Sequence, residues 1–354
     1  MRSMYTYIES APKVCRGILD AEEGRVGGLV DQFCARDYRR ILMVASGSSY
    51  NIAMSMREFM QDMLGIEVGA VWPMSYILYD HVQTDDTFVL CLSQSGKSTN
   101  TIKAVQCAQE HERDVAVLTA NGQAPIRLVC DAVYEYGSGP EDYYVAKGYP
   151  SSCTFLALFA IKVAARRGMI DDGRRDRLVK ELGAAVDGLV SVMKQSQSFF
   201  LGHLERVLRT RRIMTVGIGA GYGVALEGAL KLNEMTGLAV NAYEMEEFVH
   251  GPAYEIRKDH VVMIADQGGP GHERLMQLHH ALHLLTDTVF VIDNTDEHKG
   301  DFVLHLPSVA EPGLNVMQDA VPFQVLSESL CSALDLLSYN FTNYDFEQEM
   351  KTKA

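Results

Sequence analysis

A carboxylate and an imidazole stand sixteen positions apart in EGALKLNEMTGLAVNAYEMEEFVHGP, residues 227–252. Glu234 lies near the end of a helical pattern, and His250 immediately precedes a Gly-Pro turn. One side chain that accepts a proton and one that titrates near neutrality suit acid–base chemistry. Taken alone, Glu234 reads better as an ordinary exposed helix carboxylate. His250 reads equally as a capping or packing residue, except that the following Gly-Pro fixes its turn. Glu244, Glu246 and Glu247 fit a site for a substrate amine or, more simply, a solvated acidic face.

What such chemistry would act on is indicated by SQSGKST at 93–99. Ser93, Ser95 and Ser98 offer hydroxyls, Gln94 an amide, and Gly96 lets the backbone approach closely. The segment follows an apolar strand pattern and opens a helical one. Ligands of open α/β sheets sit at the carboxyl ends of strands, and helix N-termini hold anions through free N–H groups. A helix needs one capping residue. This turn supplies several, so a bound phosphate is the expectation. SGSSYN at 46–51 would complete the cradle through Gly47, Ser48 and Ser49, whereas its counterpart IGAGYG at 218–223 has lost every serine. Neither turn has the GxxxxGK[ST] spacing of a Walker loop.

His279 and His283 lie one helical turn apart, a spacing that can bind metal. The glutamate and third ligand such a site needs are missing nearby, so the pair reads as helix surface or packing. The remaining histidines read as structural or exposed. Neither a metal nor an organic cofactor is expected.

The elements that must position these residues repeat. At an offset of 172, Ile41 to Ala70 aligns without a gap on Ile213 to Ala242, with Ile41/Ile213, Gly47/Gly219, Tyr50/Tyr222, Met63/Met235 and Gly65/Gly237 among the identities. Both copies read as a buried strand, a Gly-rich turn, a helix of about four turns, a Gly stop and a second strand. Apolar runs at 41–46, 67–72, 87–93, 114–120 and 132–137 recur as RIMTVGI, LAVNAY, HVVMIAD, DTVFVID and FVLHLP in the second half. Continuous apolar strands alternating with helices specify an α/β fold of parallel sheets covered on both faces. Helices from about 152 to 209 join the sheets. A last long helix is expected from Pro322 to about Tyr339, and the polar tail NFTNYDFEQEMKTKA is expected to be irregular.

Composition agrees with two domains: 354 residues exceed one ordinary core, and 47% hydrophobic with 22% charged residues is globular. A net charge of −14 argues against nucleic acid or an anionic membrane as partner. Seven scattered cysteines without CxxC spacing read as reduced thiols in a cytoplasmic protein. The N-terminus has no signal-peptide pattern, and CTFLALFAI at 153–161 is too short to span a bilayer, so it reads as a core helix.

The chain resembles the sugar isomerase (SIS) family, and in particular the isomerase half of glutamine–fructose-6-phosphate aminotransferase and its stand-alone relatives. YIESAP at 7–12, SGSSYN, SQSGKST, ALEGALKLNE at 225–234 and EEFVHGP at 246–252 carry the resemblance over nearly the whole chain. It implies two tandem SIS domains, each a flavodoxin-like parallel sheet with helices on both faces. The expected division is a helical segment at 1–35, a phosphate-binding domain at 36–170, connecting helices at 171–209, a second domain with Glu234 and His250 at 210–340, and a tail over the active site at 341–354.

By position, the resemblance implies that Ser49, Ser93, Gln94, Ser95 and Ser98 hold a sugar 6-phosphate, with Gly47 and Ser48 beside them. Glu234 would move a proton between C1 and C2, Lys231 would support it electrostatically, and Lys351 or Lys353 would reach the sugar from the tail. His250 would come from the neighbouring subunit, implying a homodimer. The glutaminase domain of the aminotransferase is absent, and VAKGY at 145–149 departs from that enzyme's small-polar stretch, which puts Lys147 in the substrate pocket. The expected activity is deglycation of a 6-phosphorylated sugar–amine conjugate. Hexosamine-6-phosphate deaminase or isomerase is the alternative on the same residues, and a non-catalytic sugar-phosphate sensor is the rival of another class.

Overall fold

The computed structural model describes residues 3–337 and 344–354. All ten expected strands form, and they make two five-stranded sheets in which every pairing is parallel. The first sheet contains β1 (Arg40–Ala45), β2 (Glu67–Val71), β3 (Thr87–Leu92), β4 (Val115–Thr119) and β5 (Val133–Glu135), in the order β2-β1-β3-β4-β5. The second contains β6 (Arg212–Gly217), β7 (Ala239–Glu244), β8 (Val261–Asp266), β9 (Thr288–Asp293) and β10 (Val303–His305), in the order β7-β6-β8-β9-β10. Both orders are the flavodoxin-like 2-1-3-4-5. The chain divides into two compact units. One holds residues 13–183 and the described C-terminal residues from 344; the other holds the residues up to Pro12 and those from Ala184 to the end of the last core helix.

Helix α1 (Met4–Asp20) starts the chain, and α2 (Ser48–Leu64), α3 (Thr99–Glu110) and α4 (Gly148–Arg166) follow in the β1–β5 unit. The long α5 (Asp172–Leu208) contains the boundary between the units. In the β6–β10 unit come α6 (Ala220–Thr236), the short α7 (Met245–Val249), α8 (His272–Leu282) and α9 (Val321–Ala333). The repeat is visible in the backbone. Helices α2 and α6 each have 17 residues, each starts after a glycine at φ 57° or 58°, and each stops at a left-handed glycine, Gly65 or Gly237. A side chain at Gly47 or Gly219 would be strained, which is why both turns keep glycine.

Each sheet is a divider. In the β1–β5 unit, α2 covers one face with α4 packed behind it, while α3 and Tyr76 close the other over Val44, Val89, Cys91 and Val117. In the β6–β10 unit, α6 lies on one face with α9 behind it, so close that a Cβ at Gly228 would fall 2.4 Å from the Phe323 ring. Met214 and Val216 point to the other face, where they pack with Met245, Phe248 and Leu275 of α7 and α8. Helix α4 extends well beyond the apolar run that marked it, and 89% of its apolar window is buried, so burial identifies it as a core helix.

Two expectations are corrected. The last core helix ends at Ala333, where the following turn places Asp335 at φ 56°; the expected end at Tyr339 lies outside the described residues. The tail is not irregular throughout: α10 (Tyr344–Met350) forms, with Asp345 and Glu347 in its first turn, where carboxylates favour the helix dipole.

None of the seven cysteines is in a disulfide; six are buried and Cys34 is partly exposed. Burial pushes the Cys15 thiol up to about 11 and that of Cys91 higher still. Since the thiolate is the nucleophile, a polar thiol reagent should titrate roughly one fast group in the native protein and all of them in denaturant. Rapid reaction of several native thiols would contradict this packing.

Candidate active site

The turn after β3 is the candidate anion seat. The Gln94 carbonyl accepts from the Ala120 N–H at 3.1 Å and the Thr119 hydroxyl at 3.3 Å, which ties the turn to the end of β4. Gly96 has φ +64°, and a Cβ there would lie 2.6 Å from that of Ala124. Ser49, Ser93 and Gln94 line one narrow crevice with Tyr136 and Ser152. The Ser93 hydroxyl is buried without a hydrogen-bond partner among the described residues. A buried hydroxyl normally finds one, so Ser93 is a donor held ready. Ser98 occupies the N-cap position of α3, yet its side chain makes no capping bond. Ser95 accepts from the Lys97 N–H at 3.2 Å. Gly47 and Ser48 lie at the start of α2, and neither lines the crevice.

The C-terminal residues lie along this turn. The Thr99 N–H donates to the Thr352 carbonyl at 3.2 Å, the Ala354 N–H donates to that of Lys97 at 2.8 Å, and Ser98 bridges antiparallel to Lys353. The Thr99 hydroxyl donates to the Lys351 carbonyl at 2.6 Å. Lys353 is thus the tail lysine set opposite a turn serine, while Lys351 contributes its main chain. One N–H at the start of α3 is occupied by the tail.

Lys147 precedes α4 directly. Its N–H and that of Gly148 donate to the Asp142 carboxylate at 3.1 and 2.6 Å, so Asp142 caps the helix. Burial pushes the Asp142 carboxyl up, against those donors and the nearby Lys147 charge. A Cβ at Gly148 would lie 3.4 Å from Cγ of Gln94, which brings the start of α4 to the anion turn. Tyr144 and Val145 both have positive φ, 49° and 60°. For a β-branched residue that conformation is strained, and such strain concentrates at functional sites.

In the other unit, Glu227, Lys231 and Glu234 recur along one side of α6. The Lys231 ammonium lies 2.7 Å from Glu234 Oε2 and 3.4 Å from Glu227 Oε1. Lys231 and Glu227 are fully buried, whereas the Glu234 side chain is 36% exposed. Burial alone would lower the Lys231 pKa; Glu227 and Glu234 outweigh it and raise it, so the lysine stays charged. The cluster therefore presents one accessible carboxylate backed by a fixed cation. Glu227 was missed in the sequence, although its position four residues before Lys231 was a usable signal.

His250 is exposed and ends α7. Glu244 caps that helix by accepting from the N–H groups of Glu246 and Glu247 at 2.8 and 3.0 Å, and Glu246 pairs with Arg274 at 2.6 Å. Two of the three acidic residues thus have structural partners. Glu234 and His250 belong to elements on opposite faces of the second sheet: the Thr215 hydroxyl donates to the Ala225 carbonyl of α6, while Met214 and Val216 face α7. His279 is buried beside His298, with their Nδ1 atoms 2.9 Å apart, and His283 is exposed.

The SIS domain model matches residues 36–162 and 207–328, covering most of the chain in two copies. Glutamine–fructose-6-phosphate aminotransferase of Mycolicibacterium paratuberculosis is 26% identical over 312 residues, 84% of this chain and 49% of the relative. The chain spans about half the length of the curated relatives it matches. A crystal structure of a candidate phosphosugar isomerase from Clostridium difficile 630 has a TM-score of 0.89 at 23% identity and covers 100% of this chain and 99% of its own. The C-terminal domain of glucosamine-fructose-6-phosphate aminotransferase from Francisella tularensis gives 0.82 at 19% identity, covering 93% and 95%. Glucosamine-6-phosphate deaminase of Thermotoga maritima gives 0.71 at 17%, covering 93% and 94%. With two matched segments, each built around a parallel five-stranded sheet, the chain belongs to the SIS domain family.

Proposed function

We propose that the protein acts on 6-phosphorylated sugar–amine conjugates and releases the amine by proton transfer between C1 and C2. The observation that carries this reading is the α6 cluster, in which a buried ammonium holds one accessible carboxylate at 2.7 Å. Relatives described as phosphosugar isomerase, deaminase and aminotransferase support the substrate class. Ser49, Ser93, Gln94, Ser95 and Ser98 hold the phosphate, with the tail at Lys353 beside them. Anchoring that remote group places the sugar carbons for reaction.

In the open-chain conjugate, Glu234 takes a proton from C1, leaving an enolamine. Reprotonation at C2 gives an imine, and water cleaves it to free amine and an aldose 6-phosphate. Lys147, at the start of α4 near the anion turn, is assigned to the substrate pocket. As the family resemblance implies, His250 serves the site from the other subunit of a homodimer, and the placement of α6 and α7 on opposite faces of one sheet agrees with that.

The test incubates the full-length protein with fructosamine, glucoselysine and glucosamine 6-phosphates. Free amine and glucose 6-phosphate from a conjugate are expected. Turnover of glucosamine 6-phosphate alone, to ammonia and fructose 6-phosphate, would replace this reading with deamination. A folded protein that binds all three and turns over none would be a sensor.

A further inference from the structure

The carboxyl ends of β8 and β9 carry a second polar cluster that this chemistry does not use. Asp266, the last residue of β8, is 1% exposed, and its Oδ1 accepts the Gly268 N–H at 2.8 Å. Its other oxygen, Oδ2, faces two imidazoles, His272 Nδ1 at 2.8 Å and His298 Nε2 at 2.7 Å. Each ring is engaged on its far side as well. His272 Nε2 lies 3.2 Å from Glu297 Oε2, and His298 Nδ1 lies 2.9 Å from Nδ1 of His279.

An ionised carboxylate only accepts. With one carboxylate oxygen at each of its nitrogens, the His272 ring meets acceptors on both sides. Such a ring is satisfied either as an imidazolium or by a cation seated between it and Asp266. His298, fully buried, converges on the same oxygen. The three ligand atoms all lie within 4.8 Å of one another. Tetrahedral zinc with bonds of about 2.0–2.1 Å separates its ligands by about 3.3 Å, so small side-chain shifts would seat the ion. The far-side contacts are those of metal-bound histidines, whose second nitrogen is held by a carboxylate or another acceptor.

The repeat adds a separate argument. Ladder register pairs Ile41 with Phe88 in one sheet and Ile213 with Val261 in the other, so Asp266 occupies the position that Ser93 holds in the anion turn. The same strand end carries phosphate hydroxyls in one unit and a carboxylate with two imidazoles in the other. We infer that Asp266, His272 and His298 bind a divalent metal of the zinc class, which ties the turn after β8 to the loop after β9. Two imidazole nitrogens and one carboxylate oxygen suit such an ion and leave a fourth position for water.

The test uses untagged full-length protein treated with EDTA, desalted, and titrated with zinc and with cobalt, followed by elemental analysis and the visible cobalt spectrum. One ion per chain is expected, with the absorption of a tetrahedral cobalt site. His272→Gln should lose the ion on gel filtration. Glu297→Gln, a change at an exposed residue that leaves the fold intact, should weaken binding about tenfold. Failure of the wild-type protein to retain either ion, or retention unchanged in both variants, would overturn the assignment and leave a proton as the bridging charge.

Discussion

Replacing Glu234 with glutamine is expected to lower kcat for amine release by about 10²–10⁴-fold, the usual contribution of a positioned general base. The substrate's KM should stay near the wild-type value. Gln keeps the length and one acceptor oxygen, so Lys231 can still donate at the position where it now lies 2.7 Å from Oε2. What disappears is the capacity to take a proton from carbon. Because the proposed phosphate contacts come from Ser93 and its neighbours, affinity for a non-reacting sugar 6-phosphate should be unchanged within about twofold, well under the 1.4 kcal/mol that a tenfold change represents. The split between kcat and KM is the informative readout. A fall in affinity with kcat intact would mean that Glu234 binds substrate and another group moves the proton. Full activity in Glu234→Gln would end the proposed mechanism.

The architecture was legible in the sequence because parallel strands buried on both faces are written as continuous apolar runs, which local inspection finds. The repeat was legible for a related reason: Gly47 and Gly219 meet the same backbone demand at the same offset, so both survive as glycine. Short elements at the chain end were not. YDFEQEM has no long apolar stripe, and the residues that follow it, 351–354, meet residues 97–99 some 250 positions away in sequence, a pairing that no local pattern encodes.

The proposed site was legible where residue types are scarce and motif-bound, as with Ser93, Glu234 and His250. It was illegible where function depends on burial. Glu227 read as an ordinary charged helix residue, and Lys231 was singled out only through the family resemblance, although each is withdrawn completely from solvent. The separation of α6 and α7 by a sheet is likewise a property of topology. The cluster of Asp266, His272 and His298 escaped for the same reason: its members come from a strand end, a helix start and a distant loop. Of the helical pair His279 and His283, which read as helix surface or packing, His279 is hydrogen-bonded to His298 of that cluster.

Lys231 provides the second large effect, and the question it poses is whether the buried ammonium serves the fold or the reaction. Lys231→Met should destabilise the protein by about 3–5 kcal/mol, because it strands a carboxylate with no access to water. That carboxylate is Glu227, which is fully buried. Without its cation Glu227 favours the protonated form in the folded state, so its folded pKa rises above the unfolded one. Stability is then present below the unfolded value and is lost as pH rises, and the defect should be larger at pH 8 than at pH 5. Adding Glu227→Met removes the stranded charge, and the double variant should recover most of the loss, since paired buried charges are often replaceable by apolar groups of similar volume. Activity should not recover with it. Glu234 would still lack the fixed positive charge at 2.7 Å, and loss of one preorganised electrostatic partner costs about 10²–10³-fold in kcat. Thermal melts at the two pH values and steady-state kinetics of both variants separate the outcomes. If the double variant regains stability and wild-type kcat together, Lys231 is structural only, and Glu234 works without it.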